Sequence, residues 1–154
     1  MNPKMRKAAR ILLADDESLF RETLASFLRH IGYECICAPD SAAAMQLLAA
    51  SDFDLLIADL EMPGNHDLAL ILRVSKVVAG LPVILLTAHP TMESAVQSVH
   101  LPVVEYVVKP PNLDDLRVLV RKSIERYRSG SFGSPKIPER IEERIQSESE
   151  ARAK

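Results

Sequence analysis

The sequence predicts an α/β fold: a doubly wound, three-layer (βα)5 domain around a parallel five-stranded sheet in the order 2-1-3-4-5. Three observations carry this reading. Five short runs are nearly all apolar rather than alternating, as strands buried on both faces must be. Longer stretches between them repeat apolar residues at helical spacing. Turn residues punctuate the joins, at Gly32, Met62-Pro63-Gly64, Gly80 and Pro82.

Strand one is Ile11–Ala14, which ends abruptly in Asp15-Asp16. The helix from Glu17 to Ile31 puts Phe20, Leu24, Phe27, Leu28 and Ile31 on one face, and Gly32 stops it. Tyr33–Ala38 reads as the second strand. Asp40 or Ser41 can cap an alanine-rich helix through Ala50. Asp54–Ala58 is the third strand, ending at Asp59, and a loop leads to a helix over roughly Asp67–Val78. Val83–Leu86 is the fourth strand, ending at Thr87, followed by a helix over Thr91–Val99. Val103–Val108 is the fifth, closed by Lys109-Pro110. The last helix runs from about Leu113 to Tyr127, with Leu116, Leu119, Val120 and Ile124 turned inward.

A chain of 154 residues has room for one domain and a tail. The organisation reads as an N-terminal extension over 1–8, the α/β domain over 9–128, and a flexible connector with a polar tail over 129–154. Ser129 to Pro135 is a connector by composition. The residues after it can form one solvated helix, but Ile141 and Ile145 alone cannot make a core. The tail carries five acidic and five basic residues, so it is no basic DNA-binding arm. The net charge of −2 gives no reason to expect nucleic acid or an anionic membrane as the main partner. No apolar run approaches the roughly 20 residues of a membrane helix, and Ile11–Ala14 is too short for a signal peptide's core. The expected location is the cytoplasm. Cys35 and Cys37 alternate along a strand and share a face. With no further soft ligands at suitable spacing, they read as two small hydrophobes in a reduced compartment.

In a doubly wound sheet, ligands bind beyond the carboxyl ends of the strands, near the switch point between strands one and three. Strand one ends at Asp15-Asp16, strand three at Asp59, strand four at Thr87 and strand five at Lys109. Only strand two ends blandly. Gathered carboxylates repel one another, and a hard divalent cation such as Mg²⁺ resolves the conflict. Lys109 adds a positive charge for a carboxylate or a phosphoryl oxygen, and Thr87 adds a hydroxyl donor. A carboxylate nucleophile, a metal, an ammonium and a hydroxyl make a phosphoryl-transfer site. Taken singly, each residue has a plainer reading: Asp15-Asp16 and Thr87 as helix caps, Asp59 as a turn residue, Lys109 as an exposed strand end. It is their placement at consecutive strand ends that favours chemistry.

Four stretches, Ile11-Leu12-Leu13-Ala14-Asp15-Asp16-Glu17, Leu55 through Asp59 to Gly64, Leu85-Leu86-Thr87-Ala88 and Tyr106-Val107-Val108-Lys109-Pro110, resemble the receiver domains of two-component response regulators. The resemblance covers roughly residues 8 to 127 and implies a flavodoxin-like fold. It implies that Asp59 is the phosphoacceptor, and that Asp15, Asp16, Asp59 and the Glu61 main-chain carbonyl hold Mg²⁺. Thr87 and Lys109 would contact the phosphoryl group. Tyr106 falls at the aromatic switch position, although a strand aromatic packed on the last helix is the plainer account of it. Glu61 and His89 occupy positions that in receivers tune the lifetime of the aspartyl-phosphate. Two exposed loop side chains are the plainer account of those.

Two residues depart from the family pattern. Asp67 stands where receivers usually have glycine, and Pro111 replaces the usual aromatic after Lys-Pro. Asp67 bears on the shape of the loop after strand three, since a non-glycine at positive φ is uncommon. Pro111 bears on the surface of strand five and the last helix that partners read. The function this implies is a receiver in a phosphorelay, catalysing only its own phosphorylation and dephosphorylation, as a single domain or a piece of a longer regulator. Its partners would be a histidine kinase or a histidine phosphotransfer protein, a downstream protein target, and a second copy through helix 4, strand 5 and helix 5. A Mg²⁺-dependent phosphohydrolase would need a second carboxylate as general acid, for which Glu61 is a poor candidate, and an inserted cap. A scaffold without chemistry would not need a complete site. A flavin protein would need a phosphate-cradling loop where Asp15-Asp16-Glu17 stands.

Overall fold

The computed structural model describes residues 8–63, 69–98, 101 and 103–130. Asp67, the tail after Gly130 and most of the N-terminal extension lie outside them. The elements follow in strict alternation: β1 (Arg10–Ala14), α1 (Ser18–His30), β2 (Glu34–Ala38), α2 (Ser41–Ala50), β3 (Leu55–Asp59), α3 (Ala69–Val77), β4 (Val83–Thr87), α4 (Met92–Ser98), β5 (Val103–Val108) and α5 (Leu113–Ser129). All strand pairs are parallel, and the sheet order is β2-β1-β3-β4-β5, as the sequence predicts.

The strands divide their side chains between two cores. Leu12, Leu56 and Leu85 face one side, with Leu48 of α2 and Leu70, Ile71 and Val74 of α3. Ile11, Leu13, Ile57, Ile84 and Leu86 face the other, with Leu24, Ala25 and Leu28 of α1 and Leu116, Val120 and Ile124 of α5. Every residue of β3 and β4 is buried, which is why their sequences show no polar alternation. Each fully buried leucine or isoleucine stabilises the fold by roughly 1.5–3 kcal/mol relative to exposure.

β5 breaks the alternation. Its register against β4 steps from Val83↔Val103 to Ile84↔Glu105, a bulge that places Val103 and Tyr106 on the same core although they are three residues apart. Tyr106 therefore packs on the side of α4, with Ala95, and not on α5. The plainer sequence reading, which put this ring against the last helix, is corrected by the bulge.

Helix ends follow local chemistry. Asp40 caps α2 by accepting from the Ala43 amide at 2.8 Å, which decides between Asp40 and Ser41. Asn112 does the same for α5 at the Asp115 amide. That helix continues to Ser129, and Gly130 closes it at φ 71, a left-handed conformation that suits glycine. Ser129 thus belongs to the helix and not to the connector.

β2 is an edge strand. Glu34 donates inward to the Ala9 carbonyl, so the Cys35 backbone points outward along the free edge. The Arg29 guanidinium covers that edge, its Nε and NH2 donating to the Cys35 carbonyl at 3.2 and 2.8 Å. Cys35 and Cys37 are free thiols, and burial pushes Cys35 up to about 12, far from a reactive thiolate.

Candidate functional site

The carboxyl ends of β1, β3, β4 and β5 deliver the polar groups to one place. Asp15 is fully buried, Asp59 is 4% exposed and Thr87 is fully buried, while Asp16 is exposed. Carboxylate oxygens of Asp15, Asp16 and Asp59 all lie within 4.8 Å of one another. Lys109 Nζ donates to Asp15 Oδ2 at 2.8 Å and stands 3.5 Å from Asp59 Oδ2. Asp15, Asp16, Asp59 and Lys109 are therefore assembled, while the Thr87 hydroxyl is held beside them by Glu61.

The backbone explains how they are held. Asp15 is pinned through its amide to the Ala38 carbonyl at 3.1 Å, and its Oδ1 accepts from the Glu17 amide at 2.8 Å. That second bond closes the β1–α1 turn. It is not a helix cap, since Glu17 itself stands at the N-cap position of α1 and makes no side-chain cap. Asp59 Oδ1 accepts from the Glu61 amide at 3.0 Å. The Lys109 amide donates to the Thr87 carbonyl at 2.8 Å, extending the β4–β5 ladder by one residue so that Lys109 leaves the sheet beside Asp59.

Electrostatics follow from this crowding. Burial raises the pKa of Asp59, and the charges of Asp15 and Asp16 raise it further, against the Glu61 amide and Lys109, which lower it. Burial alone would lower that of Lys109, but the hydrogen bond and charge of Asp15, with Asp59, outweigh it and the net shift is upward. Two acids and one base share a dry site, leaving a surplus of negative charge. Such an all-oxygen donor set fits a hard divalent cation.

The Thr87 hydroxyl is engaged by Glu61, donating to its Oε1 at 2.6 Å. The His89 amide donates to the same Oε1 at 3.0 Å, and His89 Nδ1 lies 3.0 Å from Oε2. Glu61 and His89 are exposed, as the plainer account has them, but they also meet: together they bridge the ends of β3 and β4 above Thr87. The hydrogen bonds of Thr87 and His89, with the charge of His89, overcome burial and lower the pKa of Glu61. Tyr106 is buried, and its hydroxyl accepts from the Thr91 amide at 3.4 Å, just ahead of α4.

Two contributors escaped the sequence reading. Phe20, assigned only to the helical core face, places its ring 4.4 Å below Lys109 Nζ. Arg21 donates from NH1 to the Asp15 carbonyl at 2.8 Å. Neither carries a motif, and both contacts depend on the turn that seats α1. A cavity of about 400 Å³ lies at the opposite end of the sheet, lined by Arg10, Asp52, Phe53, Asp54, Tyr127 and Arg128 among others. It is at the amino ends of β1 and β3, away from the carboxylates and from where a doubly wound sheet binds ligands.

Residues 11–121 match the family model of the response regulator receiver domain. The DNA-binding transcriptional regulator NtrC of Escherichia coli K12 is 32% identical over 117 residues, which is 76% of this chain and 25% of that protein. The chain thus spans about a quarter of the length of this relative. Among solved structures, the signal receiver domain of an HD domain-containing protein from Pseudomonas fluorescens Pf-5 superposes with a TM-score of 0.76 at 26% identity, covering 80% of this chain and 99% of that one. The response regulator protein TrrA of Thermotoga maritima, solved in complex with Mg²⁺–BeF, gives 0.68 at 36% identity, covering 75% and 98%. Fold, strand-end cluster and family match agree, and the chain belongs to the response regulator receiver domain family.

Proposed function

We propose that this domain accepts a phosphoryl group on Asp59 and thereby switches a protein-interaction surface. The observation that carries the proposal is the ammonium of Lys109 held between two buried carboxylates, at 2.8 Å from Asp15 and 3.5 Å from Asp59. An Asp59 oxygen attacks phosphorus, the bond from phosphorus to the donor breaks, and its electron pair leaves with the donor. Lys109 neutralises charge on the phosphoryl oxygens as this happens. Asp15, Asp16, Asp59 and the Glu61 carbonyl would hold Mg²⁺, which supplies charge neutralisation and in-line orientation when bound. Thr87 must leave Glu61 to donate to a phosphoryl oxygen. Its movement would be felt by Tyr106, and through Thr91 by α4.

The donor chemistry is that of a phosphohistidine on a kinase or phosphotransfer protein. The output surface is built from α4, β5 and α5, read by a protein target or a second copy rather than directly by nucleic acid. The chemistry is limited to the domain's own Asp59, in a cytoplasmic setting. Among the described residues, no helix is long and apolar enough to cross a membrane.

Intact mass after incubation with acetyl phosphate and Mg²⁺ tests this. One labile phosphoryl adduct, absent when a chelator is included, is the expected result. A folded protein that takes up none sinks the proposal.

Once formed, the adduct decays by attack of water. The Glu61–His89 bridge spans the ends of β3 and β4 beside Asp59, and breaking it would ease the approach of water. Glu61→Ala and His89→Ala should each shorten the adduct's half-life, by about threefold to tenfold, through lost water exclusion. Decay followed by intact mass checks this, and unchanged half-lives in both variants would remove these residues from lifetime control.

A further inference from the structure

We infer that Phe20 is a positioning residue for phosphoryl acceptance, its ring face holding the Lys109 ammonium in place between Asp15 and Asp59; the inference rests on the receiver chemistry proposed above. The ring centroid lies 4.4 Å from Nζ, within the range of an attractive cation–π contact. The Lys109 side chain is only 11% exposed, so little water competes for its charge.

An ammonium has three donors. Asp15 takes one at 2.8 Å, and Asp59 stands 3.5 Å away. These two attractions are not equivalent through a phosphorylation cycle. Phosphorylation turns Asp59 into a mixed anhydride: its carboxylate charge gives way to phosphoryl oxygens standing farther out. Lys109 must then transfer its pull from one anion to the other while Asp15 stays in place. The pull of a ring face is independent of the state of Asp59. It is also weakly directional, so the ammonium can tilt toward a phosphoryl oxygen without leaving the ring.

The ring is well placed to do this. Phe20 lies in the first turn of α1, and two bonds tie that turn to Asp15: the Glu17 amide to Oδ1 at 2.8 Å, and Arg21 NH1 to the main-chain carbonyl at 2.8 Å. The Arg21 amide in turn donates to the Glu17 carbonyl at 2.9 Å. The residue that pairs with Lys109 therefore also fixes the helical turn that carries the ring. Asp15, Phe20 and Lys109 form one mechanical unit across α1 and β5.

Phe20→Leu keeps an apolar side chain of comparable reach and removes the π face, while Phe20→Tyr retains the face. In the full chain, Phe20→Leu should slow adduct formation from acetyl phosphate by about threefold to tenfold, the range such a contact supports. Phe20→Tyr should stay within about twofold of wild type on the same reasoning. NMR of the unphosphorylated protein gives a second readout: the Lys109 side-chain signals nearest Nζ should be shifted upfield by the ring in wild type and Phe20→Tyr, and not in Phe20→Leu.

Equal slowing in Leu and Tyr variants, or a Leu variant that reacts at the wild-type rate, overturns the inference and leaves the receiver chemistry standing. So does a wild-type spectrum without the upfield shift, which needs no variant to fold. A wild type that takes up no phosphoryl group overturns the chemistry itself, and this role with it.

Discussion

In magnesium-free buffer near neutral pH, Asp59→Asn should unfold at a higher temperature than wild type while accepting no phosphoryl group at all. The second half follows from removing the nucleophile. The first follows from the crowding around it. Asp59 is 4% exposed and clustered with Asp15 and Asp16 within 4.8 Å. Its pKa is raised by burial first, and then by those two charges. A folded pKa above the unfolded value means that the folded chain binds the proton more tightly. The contribution of Asp59 to stability is therefore complete below the unfolded value of 3.8, and is lost as pH rises through the folded value. At neutral pH the ionised group costs stability.

Asparagine removes the charge at nearly constant shape. It also forfeits the 3.5 Å approach of Lys109, but Lys109 keeps its shorter bond to Asp15, so relief of repulsion should win. A gain of about 1–2 kcal/mol is the order expected, which is several degrees for a domain of this size. The gap should narrow toward pH 4 and on adding Mg²⁺, since both neutralise the wild-type cluster. Thermal melts of the two proteins across pH, with and without Mg²⁺, measure it directly. A variant that melts lower under every condition would falsify the repulsive reading of the cluster.

Lys109→Ala should act in the opposite direction on stability and nearly as severely on chemistry. Removing one member of a buried ion pair strands its partner, and here Asp15 is fully buried. The cost expected for stranding such a charge is about 3–5 kcal/mol. Mg²⁺ should restore part of it, because the same carboxylates then meet another cation. Adduct formation should fall by about 10²-fold or more, the magnitude for deleting one preorganised group aimed at developing charge. Rates from acetyl phosphate at saturating Mg²⁺, read beside melting curves, separate the two effects. A variant reacting within twofold of wild type would show that Lys109 serves only the resting fold.

The strand ends were legible because burial on both faces leaves β1, β3 and β4 almost no polar residues, so the first polar residue after each run stands out. Asp15, Asp59, Thr87 and Lys109 could be picked out by position alone. What stayed hidden depends on geometry that leaves no compositional trace. The bulge between Val103 and Glu105 turns Tyr106 toward α4, yet Val103–Val108 reads as an unbroken strand. Phe20 looks like any apolar residue on a helix face, and only the seating of α1 on Asp15 brings its ring under Lys109. Glu61 and His89 come from loops after different strands, and nothing in either loop announces that their side chains meet. α5 runs two residues beyond Tyr127, where the sequence places its end, for another reason. Arg128 and Ser129 fall in a polar stretch, and it is the Arg128 guanidinium on Asp54, at 3.0 Å, that fastens this last turn to the sheet.

The guanidinium lying along the outer rim of β2 has a consequence for how molecules of this protein behave in a crowd. An open rim invites a strand from a neighbour to zip alongside, the first step toward runaway stacking. Here a newcomer would have to evict Arg29 from two hydrogen bonds on Cys35 before forming its own. Growth by strand addition at β2 is thus disfavoured from the outset.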